Sequence, residues 1–169
     1  MQTPPLTPLA AAVLHVAPAP ERVLEIECGD GDGALFLARE YPAARVRGID
    51  RSEERVRAAT ARIGLDPEGR VAFKLGSPRS LPYPDDFFDL VAAVDGRPRA
   101  REIARVLRPG GHLILARSRS GKGPGALGGW LLRRALARSG IEAVETAEAG
   151  DGSFSVGRLL GDDPMPGAD

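Results

Sequence analysis

Short apolar runs, punctuated by glycine and proline, organise this chain, and strand-like alternation gives way repeatedly to helix-like spacing from residue 22 onward. Residues 23–26 form an apolar strand pattern, followed by a glycine-rich turn and a helix pattern over residues 34–41 that Pro42 stops. Residues 45–49 read as a second strand. Ser52 is placed to cap the next helix, with Glu53 and Glu54 in its positive first turn and Val56, Ala59 and Ile63 along one face before Gly64. Residues 71–75 supply a third strand, and residues 88–94, almost all apolar, a fourth that is buried on both faces. A helix over residues 99–107 points Ile103, Ala104 and Leu107 inward and is expected to end at Pro109, Gly110 and Gly111, before a fifth strand at 113–116. Glycine-rich residues 121–129 predict a flexible loop, residues 130–139 the last helix, and residues 141–147 and 154–160 a hairpin around Gly150, Asp151, Gly152 and Ser153.

Strands alternating with helices imply an α/β fold, a parallel sheet covered on both sides, to which the closing hairpin adds an antiparallel strand at one edge. Pro4, Pro5, Pro8, Pro18 and Pro20 leave residues 9–16 as the place for a short helix before the core. The expected organisation is an N-terminal arm at 1–21, one domain at 22–161 and a disordered tail at 162–169.

Composition narrows the function classes. The 169 residues carry 23 basic and 23 acidic side chains, so no global electrostatic footprint of a nucleic-acid binder is present. Cys28 is the one cysteine and His15 and His112 the two histidines, which excludes an internal disulfide and disfavours a structural zinc site. No window approaches the roughly 18 apolar residues of a membrane span. A cytoplasmic location, a small-molecule partner and no metal are expected; nucleic acid is disfavoured, and a protein partner or a homodimer stays open. Arg105, Arg108, Arg117, Arg119, Lys122, Arg133, Arg134 and Arg138 form a basic stretch free of acids, read either as a solvated face or as an attraction for a negatively charged acceptor.

In an open α/β sheet the ligand lies beyond the carboxyl ends of the strands, at the first strand-to-helix turn. Gly29, Gly31 and Gly33 in that turn permit positive φ and close approach, and Asp50 closes the second strand, where a carboxylate can accept both hydroxyls of a ribose. Gly29, Gly31 and Ala34 also satisfy a loose dinucleotide fingerprint, so a nicotinamide cofactor is one reading and S-adenosylmethionine the other. Charge discriminates between them. Glu25, Glu27, Asp30 and Asp32 crowd the turn without a cation, which costs a pyrophosphate on the order of 1 kcal/mol per close pair in water and attracts a sulfonium or ammonium. The alternatives without a ligand are a tight turn at the glycines, a helix-capping contact for Asp50, an ion pair between Glu25 and Arg22, and an Asp-Gly turn at Asp95. Cys28 reads as a small buried hydrophobe, and His112 is expected away from the site.

Residues 23–31 (VLEIECGDG) resemble the first motif of class I S-adenosylmethionine-dependent methyltransferases, of the type 11-like domain. Residues 48–52 (GIDRS), 81–91 (LPYPDDFFDLV) and 105–111 (RVLRPGG) are similar to that family's later segments, in the family's order. The resemblance implies a Rossmann-like doubly wound sheet of seven strands, ordered 3-2-1-4-5-7-6 with strand 7 antiparallel, and S-adenosyl-L-methionine as cofactor. It implies Asp50 on the ribose, Gly29 and Gly31 beneath the ligand, Glu25 tying the turn or meeting the ammonium, Ser77 and Pro78 flanking adenine, and Arg51 and Asp95 beside the cofactor. No catalytic residue is assigned. Three positions depart from the family: Glu27 stands where a loop glycine is usual, Ser77 where an acid usually meets adenine, and the connection at residues 95–98 is short. Glu27 either turns outward or fills cofactor space. The expected function is methyl transfer to a small-molecule acceptor, with a cofactor-free interaction module as the alternative and a nicotinamide-dependent oxidoreductase third.

Overall fold

The structure, a computed structural model, describes residues 6–119 and 126–161. In chain order the elements are α1 (Pro8–Ala12), β1 (Arg22–Ile26), α2 (Asp32–Glu40), β2 (Arg45–Asp50), α3 (Glu53–Ala61), β3 (Val71–Leu75), β4 (Phe88–Val94), α4 (Ala100–Val106), β5 (Leu107–Ser118), α5 (Ala126–Arg138), β6 (Ile141–Ala149) and β7 (Gly152–Leu159). The sheet has seven strands in the order β3-β2-β1-β4-β5-β7-β6. Strands β1 to β5 pair in parallel, and β7 runs antiparallel to both β5 and β6, as expected. Strand order reverses between β1 and β4, and the crevice beyond their carboxyl ends is where this topology positions a ligand.

Alternation along the inner strands builds two cores. Val23, Val46, Leu90, Ile114 and Val156 meet α1 and α2 on one face through Leu9, Ala12, Leu37 and Ala38. Leu24, Ile26, Ile49, Val91 and Leu113 meet α4 and α5 on the other through Ile103, Val106 and Leu136. Successive side chains on a strand point to opposite faces, so a central strand covered twice must be apolar throughout. Each large side chain removed from water in this way stabilises the fold by about 1.5–3 kcal/mol.

Four details differ from the sequence reading. The first helix is shorter, its α-helical part ending at Ala12 with a 3-10 turn at Val13–His15, and Leu9, Ala12 and Val13 are buried. Pro109, Gly110 and Gly111 lie inside β5, because Leu107 already pairs with Phe88 and the ladder resumes only at His112 opposite Leu90. Gly110, at φ +80, lets the intervening residues bulge out of register. Helix α5 begins at Ala126, so residues 126–129 of the predicted loop are helical, and residues 121–125 lie outside the described residues. The hairpin reverses over Gly150 and Asp151 alone, with Ala149 paired to Gly152. The expected tail at 162–169 lies outside the described residues.

Two members of the basic stretch are absorbed at the amino edge of the sheet. Arg105 pairs with Glu102 and Asp85 and donates to the carbonyls of Leu81 and Tyr83. Arg108 pairs with Asp89, whose carboxylate also accepts the N–H groups of Glu21 and Arg22. These are fold ties, far from the strand carboxyl ends.

Candidate functional site

The turn after β1 spends five residues, 27–31, reversing direction, and two of its glycines adopt positive φ. Gly31, at φ +92, caps α2, and a Cβ there would sit 2.8 Å from the Phe73 ring. Gly29, at φ +56, faces open space instead, with no heavy atom within 4 Å of an added Cβ. The backbone at Gly29 is therefore uncovered on its Cβ side, which leaves room for close approach.

Asp50 holds this turn to the end of β2. Its Oδ2 accepts the Gly29 N–H at 3.0 Å and its Oδ1 the Ser52 N–H at 2.9 Å, while the carboxylate is 3% exposed. Arg55 approaches Oδ2 at 3.8 Å. Each oxygen spends one lone pair on a backbone N–H and keeps another, so the helix-capping and ribose-binding readings of Asp50 are compatible. Ser52 caps α3 by accepting the Arg55 N–H, as its position predicts.

Glu25 is not paired with Arg22, whose guanidinium instead lies 4.6 Å from the Phe87 ring centroid. It is 2% exposed, packed against Gly33, and its Oε2 has no hydrogen-bond partner. Burial pushes its pKa up to about 8, against the opposing pull of the Ala34 N–H and with the help of the Asp32, Asp30 and Asp50 carboxylates. At neutral pH Glu25 is a neutral acid beneath the turn.

Glu27 has the backbone that a glycine would adopt, φ +56, yet carries a side chain that reaches in two directions. Its Oε2 accepts the Arg97 N–H at 2.6 Å, and its Oε1 pairs with the Arg51 Nη2 at 3.0 Å. One carboxylate thus spans the end of β2 and the loop after β4. Asp95 makes the neighbouring tie: at φ +55 it accepts the Ser118 N–H at 2.8 Å and the Ser118 hydroxyl at 2.7 Å, joining the ends of β4 and β5.

Two cavities flank Glu27. One, of about 560 Å³, is lined by Glu27, Asp30, Asp50, Arg51, Ser52 and Arg55, among others. The second, of about 180 Å³, lies beyond β4 and β5 under α5, with Asp95, Gly96, Arg117, Arg133, Thr146 and Ser155 in its wall. Asp50 and Arg51 line the first cavity, Gly29 and Gly31 lie in the adjoining turn with Glu25 buried against Gly33, and Asp95 belongs to the second cavity. Ser77 and Pro78 line neither; Ser77 accepts the Arg79 N–H in its own turn, and Pro78 is buried. Cys28 is buried with its thiol pushed up to about 12 by desolvation, which leaves no thiolate for nucleophilic work. His112 sits in the β5 ladder opposite Leu90, held below its ordinary pKa by burial and Arg158. Among the described residues, no group of three or more metal-ligating side chains assembles.

The expectation of a turn without cations is corrected by β2 and α3. Arg51 meets Glu27, Arg55 approaches Asp50, and Arg62 pairs with both Asp30 and Asp32. Sequence reasoning placed Arg51 beside the cofactor but missed Arg55 and Arg62, because neither lies within the turn itself. Arg51, placed directly after Asp50, was the one readable signal. It also left Arg117 and Arg133 undistinguished within the basic stretch.

The chain matches the methyltransferase domain family over residues 23–111. It is 39% identical over 106 residues to the methyltransferase GfsG of Streptomyces halstedii, covering 58% of this chain and 38% of that one. It is 35% identical over 146 residues to the 27-O-demethylrifamycin SV methyltransferase of Amycolatopsis mediterranei, covering 82% of this chain and 49% of that one. The chain therefore spans half or less of the length of these curated relatives. A SAM dependent methyltransferase from Aquifex aeolicus has the same fold, with a TM-score of 0.73 at 22% identity, over 92% of this chain and 91% of that one. The nicotinamide reading falls to these matches. From the motif order, the strand order and the family match together, the chain belongs to the methyltransferase domain family, on the class I S-adenosylmethionine-dependent methyltransferase fold.

Proposed function

We propose that this domain binds S-adenosylmethionine in the cavity between the β1 turn and the β2–α3 junction and directs its methyl group to a small molecule held beyond β4 and β5. The carrying observation is Asp50: a nearly buried carboxylate, fixed by the N–H groups of Gly29 and Ser52, at the wall of a cavity beside a bare glycine backbone. The residues fit the cofactor's nucleoside half, since the free lone pairs of Asp50 suit a ribose diol and the open side of Gly29 admits close contact.

When bound, the cofactor supplies a methyl already activated on a sulfonium. The protein's part is alignment and exclusion of water, which need neither a metal nor a catalytic triad. Asp50 orients the sugar; Gly29 provides the floor; Asp95 keeps the β4 and β5 ends in register through Ser118, so that the second cavity keeps its place relative to the first. Arg117 and Arg133 in that second cavity suit an acceptor with an acidic group. The relatives named above are methyltransferases, one of them acting on a rifamycin, which supports a small-molecule acceptor.

Thermal unfolding with and without S-adenosylhomocysteine tests this reading. A ligand at a hundred times its Kd stabilises the native state by about 2.7 kcal/mol, and the expected upward shift should vanish in Asp50→Ala. An unshifted wild-type transition favours the second reading, a cofactor-free interaction module, whose supporting observation is the Glu27 bridge across the crevice.

A further inference from the structure

Glu27 is the anomaly of the site. A left-handed backbone at a residue with a side chain is strained, and such strain persists only where surrounding contacts enforce it. Here both carboxylate oxygens are engaged, one by a guanidinium from the end of β2 and one by a backbone N–H from the loop after β4. A cation together with an N–H donor is what any free carboxylate needs in order to leave water. The position is also informative: Glu27 lines the Asp50 cavity, and its Oε2 lies 3.1 Å from where a Cβ on Gly96 would stand, in the wall of the Arg117 cavity. An S-adenosyl ligand with its sugar at Asp50 and its methyl aimed at the second cavity would bring its sulfur, from which the amino-acid tail branches, toward Glu27.

We propose that the Arg51 guanidinium and the Arg97 N–H form a carboxylate-binding site for the cofactor's amino-acid tail, and that Glu27 fills it as an internal competitor until the cofactor displaces it. This rests on the cofactor reading above. Arg51 is 66% exposed while Glu27 is 18% exposed on their side chains, so the arginine has room to follow a new partner as the glutamate leaves. The resting domain is latched, and apparent affinity is lowered by the fraction of molecules in which the latch is closed.

The test compares S-adenosylhomocysteine with 5′-methylthioadenosine, the same nucleoside thioether without the amino-acid tail, by calorimetry on the full chain. Glu27→Gly suits the positive φ and removes the competitor; it should tighten S-adenosylhomocysteine about tenfold and leave methylthioadenosine within about twofold. Adding Arg51→Ala should abolish that gain, and Glu27→Gln, with its charge removed, should fall between wild type and Glu27→Gly. Weaker S-adenosylhomocysteine binding in Glu27→Gly would overturn the proposal and make Glu27 a partner of the ligand's ammonium. Equal changes for both ligands, or none, would overturn it too. If neither ligand binds either protein, the cofactor reading itself fails; if methylthioadenosine binds but the tail-dependent gain is missing, only the latch fails.

Discussion

The two cavities on either side of Glu27 have opposite characters. On the β2 side the wall carries Asp30, Asp50 and Glu54 with the partnered arginines Arg51 and Arg55; on the β5 side it carries Asp95, tied to Ser118, with Arg117 and Arg133, for which no acidic partner occurs among the described residues. Acids matched by arginines on one side, and arginines without an ion-pair partner on the other, suit ligands of different charge. On the proposed function, the first side takes the cationic nucleoside and the second an anionic acceptor.

The contrast is broken most severely from beneath. Glu25, neutral in the fold up to about pH 8, ionises near pH 4.5 when unfolded, so between these values the unfolded chain releases a proton that the folded chain keeps. Stability should therefore fall as pH rises through that window, at up to about 1.4 kcal/mol per pH unit, and level off above it. Glu25→Gln should flatten the profile, measured by urea unfolding from pH 4 to 9, while S-adenosylhomocysteine affinity at pH 7 stays within about twofold because the native acid is already uncharged there.

Next in size is Asp50→Ala, which removes the carboxylate shared by Gly29, Ser52 and the proposed ribose contact; affinity for S-adenosylhomocysteine should fall roughly a hundredfold in calorimetry. Replacing Arg117 and Arg133 together by Ala should leave that affinity unchanged and weaken a small carboxylate probe such as benzoate about tenfold, read by NMR shifts of Thr146 and Ser155. If the double variant instead loses S-adenosylhomocysteine, the two cavities are not distinct. The smallest effect belongs to Glu53→Gln, which breaks an exposed pair with Arg57 on the outer face of α3 and should change stability by less than about 0.5 kcal/mol.

The sheet was legible because its information is local. An apolar run as short as residues 88–94, set between Pro84 and Gly96, suits a strand buried on both faces, and the first-turn glycines with Asp50 mark the crevice by type and spacing. The PGG segment misled because its place in β5 depends on Phe88 and Leu90 across the ladder, and the start of α5 because Gly128 and Gly129 suggest a loop. In the site, Glu27 was recognisable as an oddity, but its role was not. One partner is a side chain 24 residues away and the other a backbone N–H 70 residues away, and a backbone donor leaves no mark in sequence. Ser77 was placed at adenine by resemblance alone, and the structure engages it in its own turn.

The most direct measurement is calorimetric titration of S-adenosylhomocysteine into the folded full-length chain. The account predicts saturable one-to-one binding that Asp50→Ala largely removes. No heat from natively folded protein at ligand concentrations up to about 1 mM, where even a contact worth roughly 4 kcal/mol registers, would contradict it.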